Sequence, residues 1–369
     1  MAASQKPLVL IAAGGTGGHL FPAEALATAL KRRGIEVDLA TDARAARYAS
    51  HFPARELHVL PADTMRGRSP LALARTGLAL GSGILKGYRL MKTLKPAAVV
   101  GFGGYPTVPP LLAATFAGRP TLLHEANAVM GRANTLLASR VTAIATGYPD
   151  ILKDRPALAA KAHHTGNPVR PAVIAAVAPY VSLKPGERLA LLVFGGSQGA
   201  RIMSEVVPSA IERLSPELRA RLSVVQQART EDLDAVRATY DRLGVAAEVA
   251  PFFDDLPARM ASAHLVVARS GASTVAELCV IGRPSVLVPL PGAIDQDQLA
   301  NALALASAGG AVLMPQSEFT PQSLADRITS IVANPAELTA MADAAHRMGR
   351  ADAAEQLAEL VVRTAGIDG

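Results

Sequence analysis

The chain has 369 residues, room for two cores at the ~100 to 200 residues usual for one domain. Half of it is hydrophobic, but with no Trp and 4% aromatics Ala, Leu, Val and Gly must fill those cores, so helices must pack closely. Lys and Arg total 37 against 31 Asp and Glu, a formal +6 that suits an anionic substrate, a membrane surface or nucleic acid without choosing among them, while the single Cys279 excludes an intrachain disulfide and a cysteine-built metal centre.

In chain order, MAASQKPLVLIAAGGTGG passes straight into a strand and a glycine turn, with no basic lead, long apolar run or cleavage site of a secretory signal. Leu8 to Ala12 reads as that strand, and the turn Gly14-Gly15-Thr16-Gly17-Gly18-His19 follows. A helix is expected from Phe21 to Arg33, with Pro22 in its first turn and Gly34 as its stop, then a strand from Val37 to Ala40. The turn lacks the third glycine of a dinucleotide fingerprint, and Thr41-Asp42 is no clean ribose-binding acid. His19 stands where the turn meets the helix, and an imidazole at a positively polarised helix end is biased to the neutral form that a general base needs. The alternative is a histidine that caps the helix or packs on the next loop.

Residues 61–95 mix Leu71, Leu73, Leu78, Leu80, Ile84 and Leu85 with seven basic residues and one acid, Asp63. They read as a helix or helix pair, either a core helix with a solvated basic face or one that rests on anionic lipid. The uncharged stretch from Ala97 to Gly118 is punctuated by Gly and Pro, which makes it strand, loop and helix rather than a membrane span. Its strand is Ala98 to Val100, its turn Gly101 to Gly104 and its helix Thr107 to Ala117. A strand from Thr121 to Leu123 then delivers His124-Glu125-Ala126-Asn127 to a strand end, so Glu125 and Asn127 become site candidates.

Val141 to Ala145 is the last strand expected in the first half, and His164 to Pro171, which includes Arg170, reads as the passage between domains. A second sheet begins at Leu189 to Phe194, followed by Gly195-Gly196-Ser197-Gln198-Gly199-Ala200, a second possible diphosphate cradle. A helix at Met203 to Leu214, strand Leu222 to Gln226, helix Glu231 to Leu243 and strand Ala246 to Ala250 continue the alternation. Phe252 and Phe253 follow, as a pair that flanks a base ring or with Phe252 in the core.

Leu265 to Gln298 reads as strand, polar turn, helix, strand and a second polar loop, a βαβ unit whose two loops open on one sheet edge. Ser273 and Thr274 put hydroxyls and N–H groups at the helix start, which suits a phosphate, and Glu277 one turn further suits sugar or ribose hydroxyls. The competing reading makes Ser273 or Thr274 the helix cap and Glu277 its capping-box partner. Pro321 to Ala333 and Pro335 to Arg363 read as Ala-rich helices, the last crossing back to brace the first domain.

Six pieces, GGTGGHLFPAEALA (14–27), GFGGYPTVP (101–109), HEANAVMGRAN (124–134), TGNPVR (165–170), GGSQGA (195–200) and RSGASTVAE (269–277), occur in the order found in one family. The chain resembles the bacterial peptidoglycan N-acetylglucosaminyltransferases that convert lipid I to lipid II, glycosyltransferase family 28 of the GT-B fold. The resemblance implies an α/β chain with two Rossmann-like domains facing a deep cleft. Residues 1–165 would form the acceptor and membrane-associating domain, 166–349 the donor domain, and 350–369 a brace on the first. It implies an inverting transfer of N-acetylglucosamine from UDP-N-acetylglucosamine to the 4-hydroxyl of the muramoyl sugar, with no tightly bound cofactor or metal. Thr16, Gly17, Gly18, Asn127, Arg170, Ser197, the backbone of Phe253, Ala272, Ser273, Thr274, Glu277 and Gln298 would hold the donor, and His19 or Glu125 would be the base. Asp297-Gln298 stands where some relatives carry paired glutamines, and Phe253 where a smaller apolar residue can occur.

The implied partners are undecaprenyl-linked lipid I, anionic membrane lipids and proteins of cell-wall synthesis, with the enzyme peripheral on the cytoplasmic side of the inner membrane. Rival readings are another UDP-sugar transferase of the same fold, an epimerase using the same donor site, and a non-catalytic lipid- or nucleic-acid-binding module. The few aromatics and the lack of a helix-turn-helix or stacking signal oppose nucleic acid.

Overall fold

The computed structural model describes residues 6–14, 17–48, 52–62, 70–196, 199–293 and 295–367. The chain forms two compact units, one of residues 1–170 with 351–369 and one of residues 171–350. In the first, β1 (Leu8–Ala12), β2 (Glu36–Thr41), β3 (Leu57–Val59), β4 (Ala98–Gly101), β5 (Thr121–Glu125), β6 (Ala143–Thr146) and β7 (Ala162–His164) make a parallel sheet in the order β3-β2-β1-β4-β5-β6-β7. In the second, β8 (Leu189–Phe194), β9 (Leu222–Gln227), β10 (Ala246–Ala250), β11 (Leu265–Ala268), β12 (Ser285–Leu287) and β13 (Ala311–Leu313) are also parallel, in the order β10-β9-β8-β11-β12-β13.

The central strands are continuous apolar runs because helices cover both faces. Val9 and Ile11 pack into the core beside the Gly17–Arg32 helix, while Leu10 and Ala12 pack into the opposite core with Met91, Leu111 and Leu137. Alternate residues of one strand thus serve different layers. In each sheet the first strand lies between the second and the fourth. Ala12 of β1 is flanked by Ala40 and Gly101, and Phe194 of β8 by Ala268, so the loops leaving β1 and β4, and β8 and β11, open where the strand order reverses. That is where open α/β sheets bind ligands.

The helix Ala353–Ala365 belongs to the first unit. Leu357, Ala358, Leu360 and Val361 are buried with Leu26, Leu30 and Val100. Burying each of the larger ones stabilises the unit by about 1.5 to 3 kcal/mol. Arg32 and Arg33 hold Glu355 at 2.5 and 3.0 Å on the exposed side of the same contact.

Several boundaries differ from those read in the sequence. The first helix starts at Gly17, not Phe21, which puts His19 inside its first turn and Pro22 in the helix interior, where the proline withholds the N–H that the Gly18 carbonyl would otherwise receive. β5 continues through Glu125, because pairing with β6 extends to Glu125 opposite Thr146. Residues 70–94 form one helix, Pro70–Leu94, whose buried stripe over residues 77–94 is Gly83, Gly87 and Met91. A Cβ on Gly87 would lie 2.9 Å from Ala113 Cβ, so the glycine permits close approach to the Val108–Phe116 helix. The expected run from Pro335 to Arg363 is two helices, Pro335–Met348 and Ala353–Ala365, split where the chain passes between units.

Candidate active site

In the first unit, His19 rises from the helix start beside the turn after β4. Gly103 and Gly104 have φ of 90° and 74°, and a Cβ on either would come within 3.3 to 3.4 Å of the His19 ring. Only glycine takes this backbone without strain while leaving the imidazole its place. Asn134 lies against the same turn, its Nδ2 3.5 Å from the position a Gly103 Cβ would occupy.

Glu125 is buried at the end of β5, and its carboxylate is filled by N–H donors. Oε1 accepts from Asn127 N at 3.0 Å and Asn127 Nδ2 at 3.1 Å, and Oε2 accepts from Gly131 N at 2.9 Å and Asn134 Nδ2 at 2.7 Å. Burial pushes its pKa up, against the pull of these donors. Four donors occupy the roughly four lone-pair sites of an ionised carboxylate, so the side chain ties residues 127–134 into one loop. His124 is fully buried, its Nε2 3.1 Å from Gly166 O and its ring 5.3 Å from that of Phe102. Burial lowers its pKa to about 4, against the opposing pull of the hydrogen bond to Gly166 O. It is therefore a neutral packing histidine at neutral pH. Arg170 lays its guanidinium 4.2 Å from the centroid of Phe21, in the second turn of the first helix.

In the second unit, the Ala272–Ile281 helix begins after Gly271, which is the N-cap and supplies no side chain. The capping-box reading fails: Ser273 and Thr274 lie inside the first turn, and Glu277 is the sixth helical residue. The first N–H groups of a helix have no intrahelical acceptor, and Val275 N is the one that returns to Gly271 O. Ser273 and Glu277, four apart, share a helix face, and Glu277 is buried. Side chains stitch this turn to the neighbouring loops. Ser270 Oγ donates to Gln298 O at 2.8 Å, Asn301 Nδ2 to Ser270 O at 3.2 Å, and Leu290 N to Gln298 Oε1 at 3.0 Å. Asp297 accepts from Gln298 N at 2.9 Å and so serves the start of the Asp297–Ser307 helix.

Phe253 is buried with the Arg259 guanidinium 4.4 Å from its ring centroid, whereas Phe252 is 60% exposed. A core position for Phe252 is thereby excluded. Of the other expected donor residues, Thr16 and Ser197 lie outside the described residues. Gly17 and Gly18 open the first helix, and Asn127 is bound to Glu125. Sequence reasoning did not single out Asn134, Arg269, Asn301 or Gln316. A polar side chain within the apolar run ANTLLA was the available signal for Asn134, and the other three announce themselves only through contacts distant in sequence.

Two parallel-sheet α/β units, each with its polar loops at the strand-order reversal, are the GT-B type of glycosyltransferase architecture. Residues 9–146 match the glycosyltransferase family 28 N-terminal domain, and residues 190–357 its C-terminal domain. The chain belongs to glycosyltransferase family 28. It is 62% identical over 362 residues, 98% of this chain and 97% of the other, to the UDP-N-acetylglucosamine--N-acetylmuramyl-(pentapeptide) pyrophosphoryl-undecaprenol N-acetylglucosamine transferase of Rhodopseudomonas palustris strain BisA53. The protein of the same name from Bradyrhizobium sp. strain BTAi1 is 59% identical over 365 residues, covering 99% of this chain and 100% of that one. Among solved structures, Acinetobacter baumannii MurG aligns with a TM-score of 0.77 at 29% identity, over 97% of this chain and 99% of that one. A UDP-N-acetylglucosamine 2-epimerase aligns with a TM-score of 0.69 at 15% identity, over 99% and 98%, which is a likeness of fold alone.

Proposed function

We propose that the chain moves N-acetylglucosamine from UDP-N-acetylglucosamine to N-acetylmuramyl-(pentapeptide) pyrophosphoryl-undecaprenol, the reaction in its relatives' name. The observation that carries this is end-to-end identity of 62% with a transferase so named. In this reading the muramoyl 4-hydroxyl attacks the anomeric carbon directly, UDP leaves and the configuration inverts. His19 takes the hydroxyl proton, because it stands at the reversal point of the first sheet against a turn that holds its ring in place. Glu125 acts through position: its lone pairs are already taken by the loop it organises. The N–H groups at the start of the Ala272–Ile281 helix meet the diphosphate, Glu277 the ribose, and Gln298 the sugar. Thr16 to Gly18, Asn127, Arg170, Ser197 and the Phe253 backbone complete the donor set.

The test is transfer of labelled sugar from UDP-N-acetylglucosamine to a short-chain lipid I analogue. Formation of the disaccharide product is expected. Conversion of the donor to its 2-epimer, still linked to UDP or released from it by hydrolysis, with no disaccharide, would establish the epimerase reading instead.

An acceptor anchored in lipid requires the enzyme to meet a membrane surface. Among the described residues no helix is long and apolar enough to cross one. The Pro70–Leu94 helix exposes Leu78 and Leu85, seven residues apart and so on one face, with Lys86, Arg89 and Lys92 also exposed, and Phe116 is 64% exposed in the same unit. Apolar side chains beside bases suit an anionic surface. Flotation with anionic vesicles at low ionic strength should carry the protein upward, with the bound fraction falling as salt is raised. Failure to float at low salt would remove the attachment; resistance to both salt and alkaline extraction would contradict a peripheral one.

A further inference from the structure

Arg269 is the last residue before the Ser270-Gly271 turn, and its side chain turns inward beneath the loops at that sheet edge. It is 8% exposed. Its guanidinium donates to Val288 O at 3.1 Å, Pro289 O at 2.9 Å and Gln316 Oε1 at 2.6 Å. Three loops meet on one side chain: the one after β11, the one after β12 and the one after β13. All of its named acceptors are neutral. Among the described residues no carboxylate lies within ion-pair distance, and burial alone holds its pKa below the ordinary guanidinium value, while a guanidinium stays charged throughout the working range.

A buried cation is usually paired with an acid, because desolvation otherwise opposes it. Here two carbonyls and a carboxamide accept from the guanidinium and leave the charge uncompensated. The residue that carries this charge precedes the turn into the Ala272–Ile281 helix, whose N-terminus is itself positively polarised, and the guanidinium lies against the loops after β12 and β13 at the same sheet edge. We propose that Gln316 is a positioning residue for the donor site: it anchors Arg269 through a neutral acceptor, so that the buried positive charge stays available to the anionic diphosphate of the nucleotide. This rests on the nucleotide-sugar reading above and assigns a specificity role to a residue 39 positions beyond Glu277, on the loop after β13.

Position 316 separates charge from anchoring. Gln316→Glu keeps the acceptor oxygen but pairs the guanidinium with a carboxylate, whereas Gln316→Ala loses the acceptor and leaves the charge. Calorimetric titration with UDP and with uridine, which lacks the diphosphate, reads the two apart. Gln316→Glu should weaken UDP about five- to twentyfold at low ionic strength and leave uridine affinity within about twofold. Gln316→Ala, in which Val288 O and Pro289 O still hold a charged guanidinium, should weaken UDP less than Gln316→Glu does and leave uridine affinity within about twofold. Arg269→Met, the second charge-removing variant, should lower the UDP-to-uridine ratio as Gln316→Glu does. An unchanged ratio in a folded Gln316→Glu chain, or in Arg269→Met if that glutamate variant fails to fold, would overturn the proposal. Parent protein that binds neither UDP nor uridine would instead sink the nucleotide-sugar reading on which it stands.

Discussion

Replacing His19 with Ala lowers kcat about 10²- to 10⁴-fold and leaves UDP affinity close to that of the parent chain. The size is that of a lost proton acceptor, and the split between turnover and donor binding follows from role: the base meets the acceptor hydroxyl, whereas the diphosphate and ribose are met by the start of the Ala272–Ile281 helix and Glu277. The rate profile of the variant should also lose the limb that rises with pH. Glu125 gives the contrast. Glu125→Gln would put an amide NH2 among N–H donors that now point at a carboxylate, leaving donors unpaired at roughly 1 to 3 kcal/mol each. Lower thermal stability with a retained basic limb is therefore expected of Glu125→Gln. Steady-state rates over a full pH series with saturating donor, beside unfolding curves, would decide it; a His19→Ala enzyme with its basic limb and most of its kcat intact removes His19 from the chemistry.

Glu277→Ala should weaken UDP by roughly 1.5 to 3 kcal/mol, about 10- to 150-fold in Kd, with the fold retained. The carboxylate is buried in the second turn of the Ala272–Ile281 helix, on the face it shares with Ser273. A charge-assisted bond to ribose hydroxyls made there is shielded from water, which places the loss near the upper end of that range. Gln at the same position should recover part of it, since an amide oxygen still accepts but carries no charge. Titration of parent, Glu277→Gln and Glu277→Ala with UDP gives the order directly. Equal affinities across the three would separate Glu277 from the nucleotide.

The sheet strands were legible because both faces are buried: Leu8 to Ala12 and Leu189 to Phe194 read off the sequence within their observed bounds. Gly and Pro punctuation revealed Pro321–Ala333, whose Thr320 and Ser323 form a capping box. The start of the first helix was misplaced because Gly17 and Gly18 are poor helix formers that here open a helix, and Pro22 looked like a boundary marker. Glycine loops at strand ends identified the two sheet edges, but not which side chains there are already spoken for. Glu125 looked like an available carboxylate until Asn127, Gly131 and Asn134 were seen to fill it, and Arg269 looked like a polar turn residue until Val288, Pro289 and Gln316 closed on it. Such partners lie up to 47 positions apart, beyond the reach of any local pattern.

The last helix makes the first unit a two-piece module. A hybrid that swaps residues 1–170 between two members of the family would leave Leu26 and Leu30 facing a foreign Leu357, Leu360 and Val361, and Arg32 and Arg33 facing a foreign residue 355. The natural cassette for exchanging this half is residues 1–170 together with 351–369. The 171–350 half moves as one uninterrupted insert, with both of its splice points at a boundary between the two units.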